Sequence, residues 1–544
     1  MKLILRNILI IAVLSVSNSF SLYSQKVSTG ANRISSSDLE CHVSFLASPL
    51  LKGRMNGEDG LEIASRYIAS QAKLLGLKPA NGTSYYQPYS IERKSIDPDK
   101  TTVRVIAGNN EPVTIKEPIL QWLPDIATDF SIEEEVIFAG YGIKSDKYNY
   151  NDFENLKTEG KILLVMNRAP TAEDGKTFLF EGTSWTSFIN IQLKLSALMS
   201  AKAKAILIVM DPKSGFTSVA EQYPRIAGQL RAVMNLKGSK PPMMGLPGMT
   251  NTIFIHRSVA DELLKDTGQT LDELQKNIDA NLKPHSFLIP GKKLRIDEVA
   301  LTEEKTLNNI TAYIEGSDPV LKDEVVVYSA HFDHIGETGG KVFAGADDDA
   351  SGCAALLEIA EAFHSMEKKP LRSILFLWVS GEEIGLYGSK YYVDNPLFPL
   401  EKTVADLNAD MIGRIKGVAD TAADNPMSGP LTVFAITGNQ SKDLLAIAGE
   451  VDKKTPLDFD YSLSGRDNPL QLFSRSDHYN FVRKDIPVIF FTTGLHADYH
   501  TSRDVIEKID LNKMELVTRA MFEIGLTVAD RKNRINVNNP FSKW

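Results

Sequence analysis

Five apolar runs in the second half of the chain restrict its fold more than any other feature. Each run is seven or eight residues long, and helical stretches separate most of them. Strands that are buried on both faces read as continuous apolar runs, as in parallel sheets covered by helices. The sequence therefore predicts an α/β fold with a mixed, largely parallel central sheet flanked by helices. The runs are EVVVYSA (324–330), SILFLWVS (373–380), TVADLNA (403–409), LTVFAIT (431–437) and PVIFFTT (487–493).

Residues with imidazole or carboxylate side chains follow these predicted strands. Because open α/β sheets bind ligands outside the carboxyl ends of their strands, we expect these side chains to meet at one edge of the sheet. They are His331 and Asp333 after the first run, Glu382 and Glu383 after the second, Asp410 after the third and His500 beyond the last.

The stretch GADDDASG (345–352) places three carboxylates side by side in the loop before a predicted helix. These charges repel one another unless positive charge lies among them. The nearest basic residues in the sequence of these loops are only Lys341 and Arg414. Imidazole nitrogen combined with carboxylate oxygen suits zinc, cobalt or manganese better than calcium or copper. The sequence therefore predicts a site for divalent cations at this edge.

Six motifs follow one another along the second half of the chain: HFDHIG, GADDDASG, SGEEIGLYGS, NADMIGR, SDHYNF and HTSRD. In this order they resemble the motifs of the M28 metallopeptidases, which are secreted aminopeptidases built around two zinc ions. The segment LLKGR (50–54) resembles the N-terminal segment of the same family. The resemblance implies the zinc-exopeptidase fold and a centre with two Zn²⁺, for which Co²⁺ or Mn²⁺ are substitutes.

The resemblance implies a role for each ligand. His331 and Asp410 are expected to bind one metal ion, and Glu383 and His500 to bind the other. Asp348, the middle residue of the triplet, is expected to bridge the two ions, and the peptide bond that follows it is often cis in this family.

The resemblance also implies how the reaction runs. Glu382 is the expected general base, which takes a proton from a metal-activated water and passes it to the leaving amine. Asp333 is expected to orient the imidazole of His331 from behind the metal. The implied activity is that of an aminopeptidase, which hydrolyses peptide bonds and releases N-terminal residues from peptides or proteins.

Three other functions stay open on the sequence. Carboxypeptidases of the same family need a cationic patch for the substrate carboxylate, and the sequence does not locate one. Glutaminyl cyclases share much of the ligand set but use one zinc ion. A non-catalytic, receptor-like homologue has lost its metal ligands, whereas this chain has every expected one.

Several residues near the motifs have more than one interpretation. His478, Tyr499 and Arg414 are candidates for substrate binding, although a structural hydrogen bond, loop packing and an ion pair are the respective alternatives. His334 is equally well interpreted as a group behind the ligands or as a residue that fills space. Arg54 is predicted to form an internal salt bridge.

The remaining segments predict an exported protein with an insertion. Residues 1–24 have the basic start and short apolar stretch of a signal peptide, so we expect a periplasmic or extracellular location. The catalytic domain is predicted to comprise residues 25–119 and 291–544. Residues 120–290 carry buried-strand patterns without clustered ligands, and they resemble a protease-associated (PA) domain.

The composition narrows the set of partners. The 544-residue chain has a formal net charge of −9, which argues against nucleic acid or an anionic membrane surface as a partner. No run of apolar residues reaches the ~20 that a membrane-spanning helix needs. Peptide or protein N-termini are the expected substrates.

Overall fold

The computed structural model describes residues 30–123, 128–180, 188–239, 250–338, 340–418, 420, 426–464, 468 and 470–543. The predicted export signal lies outside these residues. The chain forms two compact units, and the larger unit contains the chain up to Ser90 and from Thr306 onward. The smaller unit is Ile91–Lys305.

The helices differ in number and length between the units. No helix in the described part of the chain is long and apolar enough to cross a membrane. In the larger unit the helices are Ser36–Leu46, Asp59–Leu74, Gly352–His364, Tyr387–Asp394, Lys442–Asp452, His478–Val482 and Leu511–Ala529. In the smaller unit they are Phe188–Ser200, Val219–Gln222, Pro224–Arg231, Arg257–Leu264 and Leu271–Asn281.

The strands are numbered here in chain order. Those before residue 240 are β1 (Lys78–Pro79), β2 (Tyr86–Ile96), β3 (Thr102–Ala107), β4 (Val113–Ile115), β5 (Leu120–Leu123), β6 (Phe130–Phe138), β7 (Lys144–Ser145), β8 (Tyr150–Asn151), β9 (Ile162–Met166), β10 (Ala205–Val209) and β11 (Ala232–Leu236). The later strands are β12 (Asn251–Ile255), β13 (Phe287–Glu298), β14 (Ala300–Ile314), β15 (Val325–His331), β16 (Glu337–Thr338), β17 (Lys341–Val342), β18 (Ser373–Val379), β19 (Thr403–Ala409), β20 (Thr432–Ile436), β21 (Asp458–Asp460) and β22 (Val488–Thr492).

The central sheet of the larger unit is mixed but largely parallel. Seven of its strands follow the order β14, β18, β15, β19, β22, β20 and β21. The four middle strands, from β18 to β22, run parallel, whereas β14 and β20 run antiparallel to their neighbours β18 and β22. The prediction of the fold class is therefore confirmed, and each of the five predicted strands agrees with its observed bounds to within one residue at each end.

Both faces of this sheet are buried, as the continuous apolar runs predicted. On one face, Val325 and Val327 of β15 belong to a core cluster that includes Phe481. On the other face, Tyr328 packs edge-on against Phe363, at 6.0 Å between ring centroids. Since both faces are covered, only the strand ends are left for a polar site.

The smaller unit has its own sheet and core. Its eight strands follow the order β4, β3, β13, β6, β9, β10, β12 and β5. The predicted insertion, residues 120–290, is narrower than this unit because β3 and β4 precede residue 120 and are joined to the sheet through β13, which extends beyond residue 290. The PA type of this unit stays a prediction.

Candidate metal centre

Four parallel strands bring the predicted ligands to one edge of the central sheet. β15 ends at His331, and Glu382 and Glu383 come shortly after the end of its neighbour β18. Asp410 directly follows β19, on the other side of β15, and His500 lies in the loop beyond β22. The side chains thus meet where the parallel strands end, as the topological rule predicts.

Asp348 lies at the centre of these residues, and its two oxygens face different partners. Its Oδ1 lies 3.3 Å from His331 Nε2, which lies 3.6 Å from Asp410 Oδ1. Its Oδ2 lies 3.0 Å from His500 Nε2, which lies 3.0 Å from Glu383 Oε1. We call these five residues the ligand cluster. The structure brings all five predicted ligands together, in two groups that share Asp348.

The other two aspartates of the triplet serve the backbone. The carboxylate of Asp349 accepts hydrogen bonds from three backbone N–H groups, at 2.8 to 3.3 Å. Asp347 accepts one from the N–H of Gly413 at 2.6 Å, and its other oxygen lies 3.4 Å from His496 Nε2. The Asp348–Asp349 peptide bond is cis. Only the middle aspartate therefore has both carboxylate oxygens turned to the ligand cluster.

Asp333 holds two neighbouring segments in place. Its carboxylate accepts hydrogen bonds from the backbone N–H groups of Glu382 and Glu383, at 3.1 and 3.2 Å, and from Asn56 Nδ2 at 2.7 Å. Its backbone carbonyl lies 3.1 Å from His331 Nδ1, whereas its carboxylate lies 3.8 Å away. Asp333 therefore orients His331 through its main chain and the glutamate loop through its side chain.

Arg54 holds the neighbouring loops in place through hydrogen bonds to their carbonyl oxygens. Its buried guanidinium donates to the carbonyl oxygens of Phe332, Ala344 and Gly345, at 2.8, 2.7 and 3.0 Å, and also to that of Leu46. These partners are carbonyls, so the salt bridge predicted for this residue is absent from its contacts in the described part of the chain. The role of Arg54 depends on loops almost 300 residues away, for which the sequence has no local signal.

Burial and neighbouring charges shift the pKa values of the predicted ligands and of the predicted base. Burial disfavours charge on His500, but the carboxylates of Glu383 and Asp348 outweigh burial and raise its pKa to about 9. Burial and the charge of Asp348 act to raise the pKa of Glu383, but the neighbouring imidazoles lower it to about 2. Burial, with repulsion from Glu383 and Asp410, holds the pKa of Glu382 well above its ordinary value. Two adjacent glutamates are thus suited to opposite tasks, a ligand and a proton carrier.

The ligand cluster has the chemistry of a divalent metal site. His331 Nε2, Asp348 Oδ2 and Glu383 Oε1 are buried and have no hydrogen-bond partner among the described residues. Polar atoms buried without partners are costly, and no Lys or Arg side chain in the described part of the chain pairs with the ligand cluster. Imidazole nitrogens and carboxylate oxygens are the donors that zinc takes in proteins. The residues present therefore fit divalent cations.

A pocket lies beside the ligand cluster. Asp348, Glu382 and His500 contribute to its polar side. The pocket is thus continuous with the predicted catalytic groups, and an exposed arginine, Arg475, is also in its wall. Its other lining residues are Asp410, Met411, Leu472, Phe490, Thr492, Gly494, Leu495 and Tyr499.

The three candidates for substrate binding lie in different surroundings. Tyr499 lines the pocket and stacks on the ring of His500, at 3.8 Å between centroids. His478 is fully buried, burial lowers its pKa to about 3, and its Nε2 lies 2.8 Å from a backbone carbonyl oxygen. Arg414 forms an ion pair with Asp498 at 3.0 Å. Of the three, Tyr499 alone is among the residues that line the pocket.

Residues 309–525 match the family model of peptidase family M28. The matched part of the larger unit, residues 309–525, is a peptidase family M28 domain. This membership confirms the predicted family and the predicted enzyme class, a metallopeptidase among the hydrolases. The match covers the ends of all four parallel strands described above and the whole ligand cluster, and it leaves out the smaller unit.

Curated relatives agree with this membership. Leucine aminopeptidase 1 of Trichophyton equinum is 25% identical over 334 residues, which is 58% of this chain and 83% of that protein. Leupeptin-inactivating enzyme 1 of Streptomyces exfoliatus is 41% identical over 106 residues, which is 19% of this chain. That match spans only 22% of the Streptomyces protein.

Solved structures show the same fold. The aminopeptidase from Aneurinibacillus sp. strain AM-1 has a TM-score of 0.51 at 18% identity, over 94% of this chain and 97% of that chain. BSAP, a zinc aminopeptidase from Bacillus subtilis, has a TM-score of 0.50 at 17% identity, over 92% of this chain and 97% of that chain. At these identities the likeness describes the fold alone.

Proposed function

We propose that the protein is an aminopeptidase that uses two divalent metal ions, preferably Zn²⁺, to release N-terminal residues from peptides. The observation that carries the proposal is the position of Asp348, which turns one oxygen to each of two donor groups, with Glu382 beside them. His331 and Asp410 would hold one ion, and His500 and Glu383 the other. The names of the relatives, leucine aminopeptidase and zinc aminopeptidase, support the same activity.

The chain's own residues would divide the reaction between them. When bound, the two ions supply positive charge that polarises the scissile carbonyl and acidifies a water molecule. Glu382 Oε2 lies 4.0 Å from His331 Nε2, at the border between the ligand cluster and the pocket. From there Glu382 would take the proton of the water and give it to the leaving amine. The hydrogen bonds of Asp333 to the Glu382 loop would keep the carboxylate in that position.

The pocket supports a substrate with an apolar first residue. Met411, Leu472, Phe490 and Leu495 offer hydrocarbon surface to a substrate side chain. The carboxylates on the polar side of the same pocket would attract a free α-ammonium group, which an N-blocked peptide lacks. The lining therefore supports aliphatic residues as the preferred N-terminal side chains.

Arg475 favours a second candidate function, a carboxypeptidase or dipeptidase. It is exposed in the wall of the pocket, where a guanidinium can pair with the terminal carboxylate of a short substrate. A carboxypeptidase requires this kind of cationic contact. The four apolar residues and the acidic polar side make the aminopeptidase the first choice.

The experiment uses the full chain and four matched substrates. Purified protein is stripped with a chelator, reloaded with Zn²⁺ and assayed on a leucyl peptide, its N-acetyl form, its C-terminal amide and an aspartyl analogue. We expect metal-dependent cleavage of the leucyl peptide and of its amide, with little cleavage of the acetylated and aspartyl forms. Cleavage of the acetylated peptide, together with loss of activity on the amide, would support the carboxypeptidase instead.

Export from the cytoplasm belongs to the same proposal. The basic and apolar start of the chain supports removal of residues 1–24 and a location in the periplasm or outside the cell. N-terminal sequencing of the mature protein and fractionation of the source cells test both points. An intact start on a protein found only in the cytoplasm would contradict them.

A further inference from the structure

His334 is the remaining imidazole at the ligand cluster, and the proposed function gives it no role. The geometry points to His334 as a third, non-bridging protein ligand of the ion that Glu383 and His500 would hold. This inference rests on the proposed metal centre and adds one residue to it. Its basis is the position, burial and packing of the ring.

The distances place His334 Nδ1 among the donors of this ion. It lies 2.8 Å from Glu383 Oε1 and 3.7 Å from Asp348 Oδ2, and His500 Nε2 lies 3.0 Å from each of those oxygens. Two donors that each lie ~2.1 Å from a tetrahedral zinc ion are ~3.4 Å apart. The four donor atoms all lie within 4.8 Å of one another, so a single ion can be reached by all of them.

The ring of His334 is also unsatisfied without an ion. Its side chain is fully buried, and neither ring nitrogen has a hydrogen-bond partner of acceptable geometry among the described residues. A buried imidazole in that state is costly, and ligation through Nδ1 removes part of the cost. The contact with Glu383 joins two side chains that both point into the ligand cluster.

Packing fixes the ring in this orientation. Gly345 has φ +61°, and a Cβ built there would lie 2.7 Å from His334 Cδ2 and 2.2 Å from the backbone oxygen of Asp348. Only glycine permits this close approach of the aspartate loop to the ring. The backbone N–H of His334 also donates to the carbonyl of Arg54 at 3.1 Å, which anchors the residue at its main chain.

A fourth donor makes the two metal positions unequal. One ion would have His334, His500, Glu383 and Asp348, and the other would have His331, Asp410 and Asp348. Asp349 also lies near His331 and Asp410, but its two oxygens accept hydrogen bonds from three backbone N–H groups. Zinc sites with four protein ligands are closed, and sites with three leave a position for water or substrate. The predicted base, Glu382, lies beside His331 on the three-donor side. The ion near His334 should therefore be the more tightly held of the two.

X-ray absorption spectroscopy at the zinc edge gives a direct test, because it counts imidazoles bound per zinc. The full chain is loaded with two equivalents of Zn²⁺, and the metal content is measured on the same sample. We expect three imidazoles shared by two ions. Two imidazoles shared by two ions would overturn the inference and leave the proposed function intact. A protein that takes up no zinc would overturn both.

Three variants separate ligation from a hydrogen bond to Glu383. His334→Asn can still offer an N–H donor to Glu383, but it removes the imidazole, as does His334→Gln. His496→Gln is the matched control, because His496 is also a buried imidazole near the triplet but contacts Asp347. Circular dichroism of each variant verifies folding before metal analysis.

The expected result is a loss confined to the His334 variants. Each should lose one imidazole from the spectrum and bind its tighter ion at least ~100-fold more weakly, beyond the range for residues that only support a ligand. The His496 variant should keep three imidazoles. Unchanged affinity and an unchanged imidazole count in His334→Asn would overturn the inference, since a hydrogen-bonding role would then be sufficient.

Discussion

Both units of this protein bury charged residues, but they balance the charges differently. In the smaller unit, Asp211 accepts two hydrogen bonds from Arg168, at 2.6 and 2.7 Å, and one from Gln275 at 2.9 Å. Asp279 pairs with Lys213 at 3.0 Å. We call these five residues the charged network. Each of its carboxylates has a cationic partner from the chain itself.

The ligand cluster of the larger unit has no Lys or Arg partner among the described residues. Its carboxylates face one another and imidazoles, and several of its buried atoms have no hydrogen-bond partner among the described residues. A buried charge is tolerated when it is paired or coordinates a metal. This difference indicates that the charged network is structural and that the ligand cluster is suited to bind cations.

The largest effect is expected for Asp348→Asn. This change removes the charge that both donor groups share, so both ions should be lost. We expect kcat/KM on a leucyl peptide to fall by ~10⁴-fold or more, since the centre that stabilises the transition state disappears. Metal content per chain, measured by mass spectrometry, accompanies the assay. Full metal content in this variant would contradict the bridging role.

Glu382→Gln should separate catalysis from metal binding within the same site. The amide keeps the shape of the side chain but cannot accept and return a proton. Loss of a general base lowers rates by ~10²–10⁴-fold, so we expect kcat to fall within that range while both ions stay bound. The decisive comparison is with Asp348→Asn, which should lose both properties together. A Gln variant that retains nearly full activity would exclude Glu382 as the base.

The convergence of these side chains could be predicted from the sequence because the decisive information is topological. Strand ends could be read from apolar runs, and parallel strands bring His331, Asp410 and the two glutamates to one edge irrespective of loop detail. The orientation of the His334 side chain could not be predicted, because the strand ends at His331 and His334 lies in the loop that follows. Its direction depends on Gly345 and on other contacts between loops.

The limits of the smaller unit were less predictable for a related reason. β14 is a 15-residue strand that runs from one unit into the other, so no break in its pattern marks the boundary at Lys305. The predicted limits at residues 120 and 290 followed changes of composition instead. Composition reports burial and turns, whereas a unit boundary depends on which strands pair.

In the charged network, Asp211→Asn should affect stability and leave metal binding unchanged. Asn keeps the shape of the side chain but leaves Arg168 without its anionic partner. Removing one partner of a buried pair costs about 3–5 kcal/mol in free energy of unfolding, which chemical denaturation of the full chain can measure. Metal content should stay the same as in the original protein. A loss of zinc in this variant would mean that the two groups are not independent.

Arg168→Met completes a double-mutant cycle with Asp211→Asn. If the pair is the source of the stability, the double variant should lose less than the sum of the single losses, because the second change no longer leaves a charge unpaired. Simple addition of the two losses would contradict a closed network. The carboxylate of Asp348, in contrast, contacts imidazoles, and no described Lys or Arg side chain pairs with it.

The effect that is smallest at low pH is expected at Glu298, a carboxyl of the smaller unit without a cationic partner among the described residues. It is 2% exposed, and burial, followed by the nearby Asp129, raises its pKa to about 8 from an ordinary value of 4.5. Between these two pH values the folded chain keeps a proton that the unfolded chain has released. Stability from this group is therefore fully present below pH 4.5 and is lost as the pH rises to about 8.

Glu298→Gln removes this dependence, because the amide stays neutral at every pH. The difference in unfolding free energy between the variant and the original protein should be small at pH 4.5 and should then grow in favour of the variant. The ratio of the two folding equilibrium constants, variant over original, should rise almost tenfold per pH unit and level off near pH 8. Glu111→Gln, at an exposed carboxylate of the same unit, provides the baseline for denaturant titrations at each pH. A difference that is constant from pH 4.5 to 8 would show that Glu298 is charged in the folded protein. The smaller unit would then contain a buried anion without a Lys or Arg partner among the described residues, as the ligand cluster of the larger unit does.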